Sequence, residues 1–92
     1  MTEVTRKEAL SIAEKIHKIG LPNADNIAHL KQLLYELDKM TLELSSTYHL
    51  AVKQMEKIFE KIEAYLEHEG TVPIKMYTTF NKRLILLEST LK

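Results

Sequence analysis

The chain has 92 residues, of which 45% are hydrophobic and 28% charged, and thirteen basic side chains balance thirteen acidic ones. This composition predicts one folded domain over residues 1–92 and argues against a disordered chain. The balanced charge disfavours nucleic acid as a partner, and the absence of cysteine excludes disulfides and thiolate metal sites.

The N-terminal residues and the apolar runs bear on where the protein resides. Residues 1–8 lack the apolar core of a signal peptide. No apolar run approaches the roughly 20 residues that span a bilayer. We therefore expect a cytoplasmic protein without membrane insertion.

Glycine and proline divide the chain into three segments. Gly20 is followed closely by Pro22, and Gly70 by Pro73. Glycine readily takes the left-handed conformation that ends a helix, and proline cannot continue one. The two breaks therefore predict an all-α bundle with a short N-terminal helix, a long central helix and a C-terminal helix.

The first helix is predicted over residues 5–19. Thr5 and Glu8 match the capping box, in which both side chains bind free backbone amides at the start of a helix. The apolar residues of this segment fall on one face at helical spacing. They are Ala9, Ile12, Ala13, Ile16 and Ile19.

The central segment, residues 25–68, contains neither glycine nor proline. Its apolar stripe keeps an alternating spacing of three and four residues, which is typical of a continuous helix. That helix would be about 66 Å long, whereas a compact chain of this size is about 30 Å across. Because a single chain could not cover the stripe, the sequence predicts a homodimer. The stripe consists of Ile27, Leu30, Leu34, Leu37, Thr41, Leu44, Tyr48, Ala51, Met55, Ile58, Ile62 and Tyr65.

The Ser-Ser-Thr stretch at residues 45–47 offers an alternative. The stripe is weakest at Thr41, Tyr48 and Ala51, which favours a turn and hence a monomeric antiparallel four-helix bundle. Against a turn, no hydroxyl residue of the stretch precedes glutamate or glutamine by three positions, and no glycine or asparagine ends the preceding helix. The continuous helix is the favoured prediction, with a break near residues 45–47 left open.

The last helix is predicted over residues 72–91, with Thr71 as its cap and Pro73 in its first turn. Its apolar residues repeat with heptad spacing. They are Tyr77, Phe80, Leu84, Leu87 and Leu91.

Glu14 and His17 form an E-x-x-H pattern, which can place a carboxylate and an imidazole on one helical face for a metal. A carboxylate-bridged metal pair needs a second such pattern, and none of His29, His49 and His68 follows a glutamate by three residues. The chain also lacks a glycine-rich phosphate loop and a nucleophile elbow. We therefore expect no metal, no cofactor, no catalytic residue and no enzymatic activity.

Residues 11–34 follow the order of a helix-turn-helix. Lys31 would be the only cation near the second helix. The residues that this helix would expose are Asn23, Asp25, Asn26, His29 and Gln32. A helix that reads DNA normally carries several Arg or Lys side chains that bind phosphates. A small DNA-binding transcriptional regulator is therefore an alternative and not the favoured prediction.

The favoured function is a non-enzymatic protein–protein interaction module, acting as an adaptor, inhibitor or regulator, with a second copy and an unidentified protein as partners. Lys53, Lys57 and Lys61 form a row at four-residue spacing that could contact a partner, although mixed charge on a helix more often faces solvent. The candidate interaction residues are Thr41, Leu44, Tyr48, Ala51, Met55, Lys53, Lys57 and Lys61.

The order and lengths of the predicted helices resemble the antiparallel bundles of small bacteriocin-immunity proteins. This resemblance is one of layout and rests on no shared motif. It implies a second alternative function, a protective protein of the bacteriocin-immunity type.

Overall fold

A computed structural model describes residues 2–92 of the chain. All the regular secondary structure in this range is helical, so the predicted all-α class is confirmed. The helices, in chain order, are α1 (Thr2–Ile19), α2 (Ile27–Leu44), α3 (Ser46–Glu69) and α4 (Ile74–Leu91).

The helices form an antiparallel bundle in which each helix packs against two others. α1 and α3 each contact both α2 and α4, and within residues 2–92 the diagonal pairs do not pack together. Asp38 of α2 contacts Lys53, whereas Lys31, nearer the start of α2, contacts Glu63, nearer the end of α3. α2 and α3 therefore run in opposite directions. The bonds from Tyr48 to Thr90 and from Arg83 to Gln54 show the same for α3 and α4, along a molecule that measures 43 × 20 × 18 Å.

One apolar core runs between the helices, and each helix supplies a similar share of it. The aromatic rings of Phe59 and Phe80 meet near its middle, with centroids 6.0 Å apart. Burial of each large apolar side chain stabilises the fold by about 1.5–3 kcal/mol. The buried apolar residues are Ala9, Ile12, Ala13, Ile16, Leu30, Leu33, Leu34, Leu37, Val52, Met55, Phe59, Ile62, Phe80, Leu84, Leu87 and Leu91.

The predicted continuous helix over residues 25–68 is wrong. α2 ends at Leu44, Ser45 has an extended backbone with φ −163° and ψ 158°, and α3 begins at Ser46. A helix of about 66 Å could not fit in a molecule whose longest dimension is 43 Å. The alternative, a four-helix bundle with a break near residues 45–47, describes the fold.

Ser45 separates the helices because it bonds to both of their ends. Its N–H donates to the carbonyl of Thr41 at 3.2 Å, and its Oγ accepts from the N–H of Tyr48 at 3.4 Å. An N-cap needs only such an oxygen, and the glutamate of a capping box is an addition to it. The absence of glutamate or glutamine three residues later therefore did not argue against a serine cap.

The apolar stripe of α2 and α3 is covered within a single chain. Because the chain folds back at Ser45, Leu37 of α2 and Ile62 of α3 are both fully buried in the common core. The homodimer was predicted from a stripe that one chain could not cover. That argument for a second copy no longer holds.

The two glycine breaks are confirmed. Gly20 and Gly70 have φ of 80° and 78°, and their N–H groups donate to the carbonyls of Ile16 and Leu66. Glycine adopts this left-handed conformation without the steric cost that other residues bear.

Two helix starts differ from the predictions. α1 begins at Thr2, so Thr5 lies inside the helix and not at its N-cap. α4 follows Pro73 as its N-cap residue and has no side-chain cap, so Thr71 does not cap it. In α1, residues 2–4 contain no glycine or proline that would prevent the helix from beginning before the predicted start at residue 5.

None of the helices in residues 2–92 combines the length and the apolar composition needed to cross a membrane.

Candidate functional site

Two of the predicted interaction residues lie in the core. Thr41 and Met55 are both 0% exposed. The Thr41 hydroxyl donates to the carbonyls of Leu37 and Asp38, each at 3.0 Å, so this polar side chain is satisfied inside the bundle. Their positions give Thr41 and Met55 a packing role and leave them no surface for a partner.

Leu44, Tyr48 and Ala51 lie at the edge of the core and are half-buried. The Tyr48 hydroxyl donates to the carbonyl of Thr90 at 3.3 Å, which ties the start of α3 to the end of α4. Tyr48 and Ala51 also line a shallow groove between these helices, with Leu86 on its opposite wall. The exposed parts of Tyr48 and Ala51 therefore face α4.

The predicted lysine row does not form one strip. Lys53 Nζ lies 3.0 Å from Asp38 Oδ2 of α2 and 3.6 Å from Glu56 Oε1. Positions four residues apart advance about 40° beyond a full helical turn, so the row drifts around α3 away from α2. Lys57 and Lys61 are exposed, and this drift places Lys61 closer to the side of Gln54, which contacts α4, than Lys57 is.

A polar cluster joins α2 and α3 above the Ser45 turn. It consists of Asp38 from α2 and His49, Lys53 and Glu56 from α3. His49 Nε2 lies 2.8 Å from Asp38 Oδ1, and Lys53 Nζ binds the other oxygen of the same carboxylate. Glu56 Oε1 is buried and has no hydrogen-bond partner. The Asp38 carboxylate is therefore the centre of the cluster.

The two carboxyl groups of this cluster have opposite pKa shifts. Burial acts to raise the pKa of Asp38, but hydrogen bonds with Glu56, Lys53 and His49 outweigh it and lower that pKa from 3.8 to about 2. Burial, followed by the adjacent Asp38 carboxylate, raises the pKa of Glu56 from 4.5 to about 7. The pair therefore holds one proton, on Glu56, across mildly acidic pH.

A second feature is the outer surface formed by α3 and α4, which we call the α3/α4 face. Gln54 Oε1 accepts a hydrogen bond from Arg83 Nη1 at 2.6 Å along the line where the helices meet. Exposed residues three or four positions from Gln54 and Arg83 share this surface. On α4 the surface widens through Leu86 to Lys82, four positions before Leu86, and to Lys75, seven positions before Lys82. The α3/α4 face consists of Leu50, Lys57, Lys61, Lys75, Lys82, Arg83 and Leu86.

Basic and acidic side chains are segregated around α3. Glu63 lies 3.3 Å from Lys31 of α2, and Glu56, Glu60 and Glu67 share its stripe at spacings of three and four residues. These four glutamates therefore line the side toward α2, whereas Glu69, the last residue of α3, lies apart from them beside Tyr65 and His68. Residues 75–86 of α4 contain no acidic side chain, so the α3/α4 face is basic although the whole chain is neutral.

Glu14 and His17 line an open cavity between α1 and α4, together with Lys18 and Glu88. His17 Nδ1 lies 3.1 Å from Glu88 Oε1, and Glu88 is only 8% exposed. Glu88 is the residue that sequence reasoning missed here, because its pairing with His17 depends on how α4 packs against α1. Within residues 2–92, no three potential ligands are grouped closely enough to hold a metal ion.

The loop of the possible helix-turn-helix is held by its own amide side chains. Asn23 Oδ1 accepts from the N–H groups of Asp25 and Asn26, and Asn26 Oδ1 accepts from the N–H of Asn23. α2 begins only at Ile27. These side chains stabilise the turn, and their use there does not favour a role in reading bases.

Two features of the described residues thus bear on function, the polar cluster between α2 and α3 and the basic α3/α4 face. Comparisons of the chain with protein-family profiles, with curated proteins and with solved structures found no match.

Proposed function

We propose that this protein is a non-enzymatic binding module whose α3/α4 face takes up an acidic, amphipathic helix of another protein. The observation that carries the proposal is the combination of exposed leucines with lysine and arginine side chains on one side of the bundle. Such a module would serve as an adaptor, inhibitor or regulator, as the sequence predicts.

Two leucines would anchor the partner. Leu50 is 60% exposed and Leu86 is 66% exposed. Leu86 lines the groove with Tyr48 and Ala51, and Leu50 lies one helical turn before Gln54, which bonds to Arg83 of the groove. Binding of a partner helix would remove both side chains from water. Apolar anchors in a groove between helices are a common way to bind an amphipathic helix, and they supply most of the affinity.

The charged residues would select the partner. Lys57 and Lys61 on α3 and Lys75, Lys82 and Arg83 on α4 surround the leucines on the basic face. An acidic helix would be attracted to this face and a basic helix repelled. A partner helix of about 20 residues is about 30 Å long and would contact leucines and lysines together.

Of the predicted interaction residues, the α3/α4 face includes Lys57 and Lys61, and Tyr48 and Ala51 line the adjoining groove. The face omits the buried Thr41 and Met55, and it also omits Lys53, which pairs with Asp38, and Leu44. The partner proposed for this face is another protein, because an acidic helix complements its lysine and arginine side chains. A cytoplasmic location, expected from the sequence, fits a module of this kind and forms part of the proposal.

A designed peptide tests the proposal without knowledge of the natural partner. The probe is a fluorescent amphipathic helix with leucines on one face and glutamates beside them, and its control carries lysine in place of each glutamate. We expect the acidic peptide to bind at least about tenfold more tightly than the basic one, because like charges oppose binding.

Leu86→Glu and Leu42→Glu form a matched pair of variants, since both leucines are 66% exposed but only Leu86 lies on the α3/α4 face. Leu86→Glu should abolish binding of the acidic peptide, and Leu42→Glu should leave it unchanged. Equal loss in both variants would contradict the proposal. Retention of the protein on duplex DNA at physiological salt, with no peptide binding, would favour the nucleic-acid alternative instead.

A further inference from the structure

The connection between α2 and α3 is a single residue. Ser45 is the only non-helical residue between Leu44 and Ser46, whereas connections between helices in bundles usually contain about 2–8 residues. A connection this short allows few conformations in the closed hairpin. Short connections of this kind favour exchange of identical elements between two copies of a chain.

The apolar stripe stays in phase across this connection. Leu37, Thr41 and Leu44 of α2 are spaced by four and three residues, and Tyr48 continues the pattern four residues after Leu44. If Ser45 took a helical conformation, these side chains would lie on one face of a single helix over residues 27–69. The chain contains no glycine or proline within that range to prevent it.

We propose that the α2–α3 hairpin opens at Ser45 and that two copies of the chain exchange halves to form a dimer. In this dimer α1 and α2 of one copy pack against α3 and α4 of the other. Each half of the dimer is then a bundle with the core seen in the single chain. The partner that fits the surface exposed by opening is therefore a second copy.

The contacts between the two halves of one chain can all form between copies. Lys31 would bind Glu63 of the other chain, and Asp38 would bind its Lys53, in the same geometry as in the closed hairpin. Phe59 and Phe80 belong to one half and stay together. Exchange therefore loses no core contact, and each copy keeps an intact α3/α4 face.

The closed turn and the open helix differ mainly in backbone hydrogen bonds. The Ser45 cap on the Tyr48 amide is 3.4 Å long, beyond the usual 2.7–3.2 Å. A continuous helix would instead give the amides of residues 46–48 carbonyl partners at residues 42–44. The closed form is favoured over the dimer because its two halves belong to one chain. Each half then sees the other at an effective concentration of roughly millimolar.

Two substitutions shift the equilibrium between the closed hairpin and the open helix in opposite directions. Ser46→Pro suits the closed turn, because Ser46 is the first residue of α3 and the extended Ser45 is compatible with a following proline. The same proline would interrupt a continuous helix. Ser45→Ala removes the cap and favours helix at the hinge.

The experiment refolds the wild type and both variants slowly at roughly millimolar concentration and measures dimer content by sedimentation velocity after dilution. We expect dimer in the wild type, an association constant at least about tenfold higher in Ser45→Ala, and no dimer in Ser46→Pro with unchanged helix content. Absence of dimer in both the wild type and Ser45→Ala would overturn the proposal. Equal dimer in Ser46→Pro and wild type would also overturn it.

A cross-linking experiment shows whether a dimer is an exchanged one. Chains with and without ¹⁵N are mixed before refolding, and a carbodiimide joins Lys31 to Glu63, whose charged atoms are 3.3 Å apart. Exchange predicts cross-linked peptides that combine a labelled and an unlabelled half. Links confined to one chain in the isolated dimer would mean that the copies associate side by side, which contradicts exchange.

Discussion

Asp38 on α2 and Lys53 on α3 are joined by an ion pair of 3.0 Å that closes the helical hairpin above Ser45. The Asp38 side chain is 13% exposed and also lies 2.8 Å from His49. The hairpin is thus held by its Ser45 cap, by the apolar core and by this carboxylate.

Asp38→Asn should destabilise the fold. The change removes the negative charge that binds Lys53 and His49 while keeping the shape of the side chain. We expect the free energy of unfolding to fall by about 1–2 kcal/mol, the usual range for loss of a partly buried charged hydrogen bond. Urea unfolding measures the change. Glu43→Gln, at an exposed position of the same helix, is the control and should have no measurable effect.

Glu56 should make stability fall as pH rises between about 4.5 and 7, since burial and Asp38 raise its pKa to about 7. In that range the folded chain binds more protons than the unfolded chain, so a rise in pH favours unfolding. Asp38 acts in the opposite sense, because its pKa is lowered from 3.8 to about 2 and its contribution is lost as pH falls through that range.

Urea unfolding of the wild type and of Glu56→Gln across this pH range separates the effect of Glu56 from that of the histidines. The difference in stability between the two proteins should shift in favour of Glu56→Gln as pH rises from 4.5 to 7. A difference that does not change with pH would contradict the assignment of the proton to Glu56. Glu60→Gln, exposed on the same helix, should show no such trend.

Ser45 and Ser46 should respond differently to substitution. Ser45→Ala should lower the stability of the folded monomer by about 1 kcal/mol through loss of the N-cap. Ser46→Pro should be tolerated, because proline is common at the first position of a helix. Thermal unfolding at low protein concentration measures both effects. Severe destabilisation by Ser46→Pro would contradict the turn at Ser45.

Substitutions of Met55 and of Leu50 should have different effects, the first on stability and the second on peptide binding. Met55 is 0% exposed and Leu50 is 60% exposed. Met55→Ala should cost about 2–5 kcal/mol of stability because it leaves a cavity, without weakening binding of the acidic peptide by the protein that remains folded. Leu50→Ala should change stability by less than about 0.5 kcal/mol and weaken peptide binding. Weaker peptide binding in Met55→Ala together with unchanged binding in Leu50→Ala would show that the α3/α4 face is not the binding surface.

Much of the fold can be predicted from local chemistry. Gly20 and Gly70 end their helices because the left-handed conformation at those positions favours glycine. The apolar spacing of the first and last segments identifies residues such as Ile12 and Leu84 that are buried in the core. These features depend on neighbours within a few residues, so the sequence alone is sufficient to recognise them.

The break at Ser45 could not be predicted in the same way. The apolar stripe has the same phase in a continuous helix and in a hairpin, because both use the same face of each segment. A serine cap supplies one hydrogen bond and has no glycine or proline to mark it. The structure resolves the choice through packing of α2 against α3, which involves pairs such as Asp38 and Lys53.

The α3/α4 face was also only partly predictable. Lys57 and Lys61 were identified from their spacing, but the separation of these lysines from the glutamates of α3 depends on which side of the helix meets α2. The contributions of Lys82 and Leu86 from α4 depend on the pairing of that helix with α3. Contacts between helices, and not spacing within one helix, set both of these features.

The most direct test of the proposed binding surface is an amide chemical-shift titration of the ¹⁵N-labelled protein with the acidic amphipathic peptide. We expect saturable shifts in residues 47–61 of α3 and 75–90 of α4, including Leu50 and Leu86, with α1 and the start of α2 unaffected. Saturable shifts confined to α1 and α2, or no shifts at peptide concentrations well above the micromolar range, would contradict the α3/α4 face as the binding site.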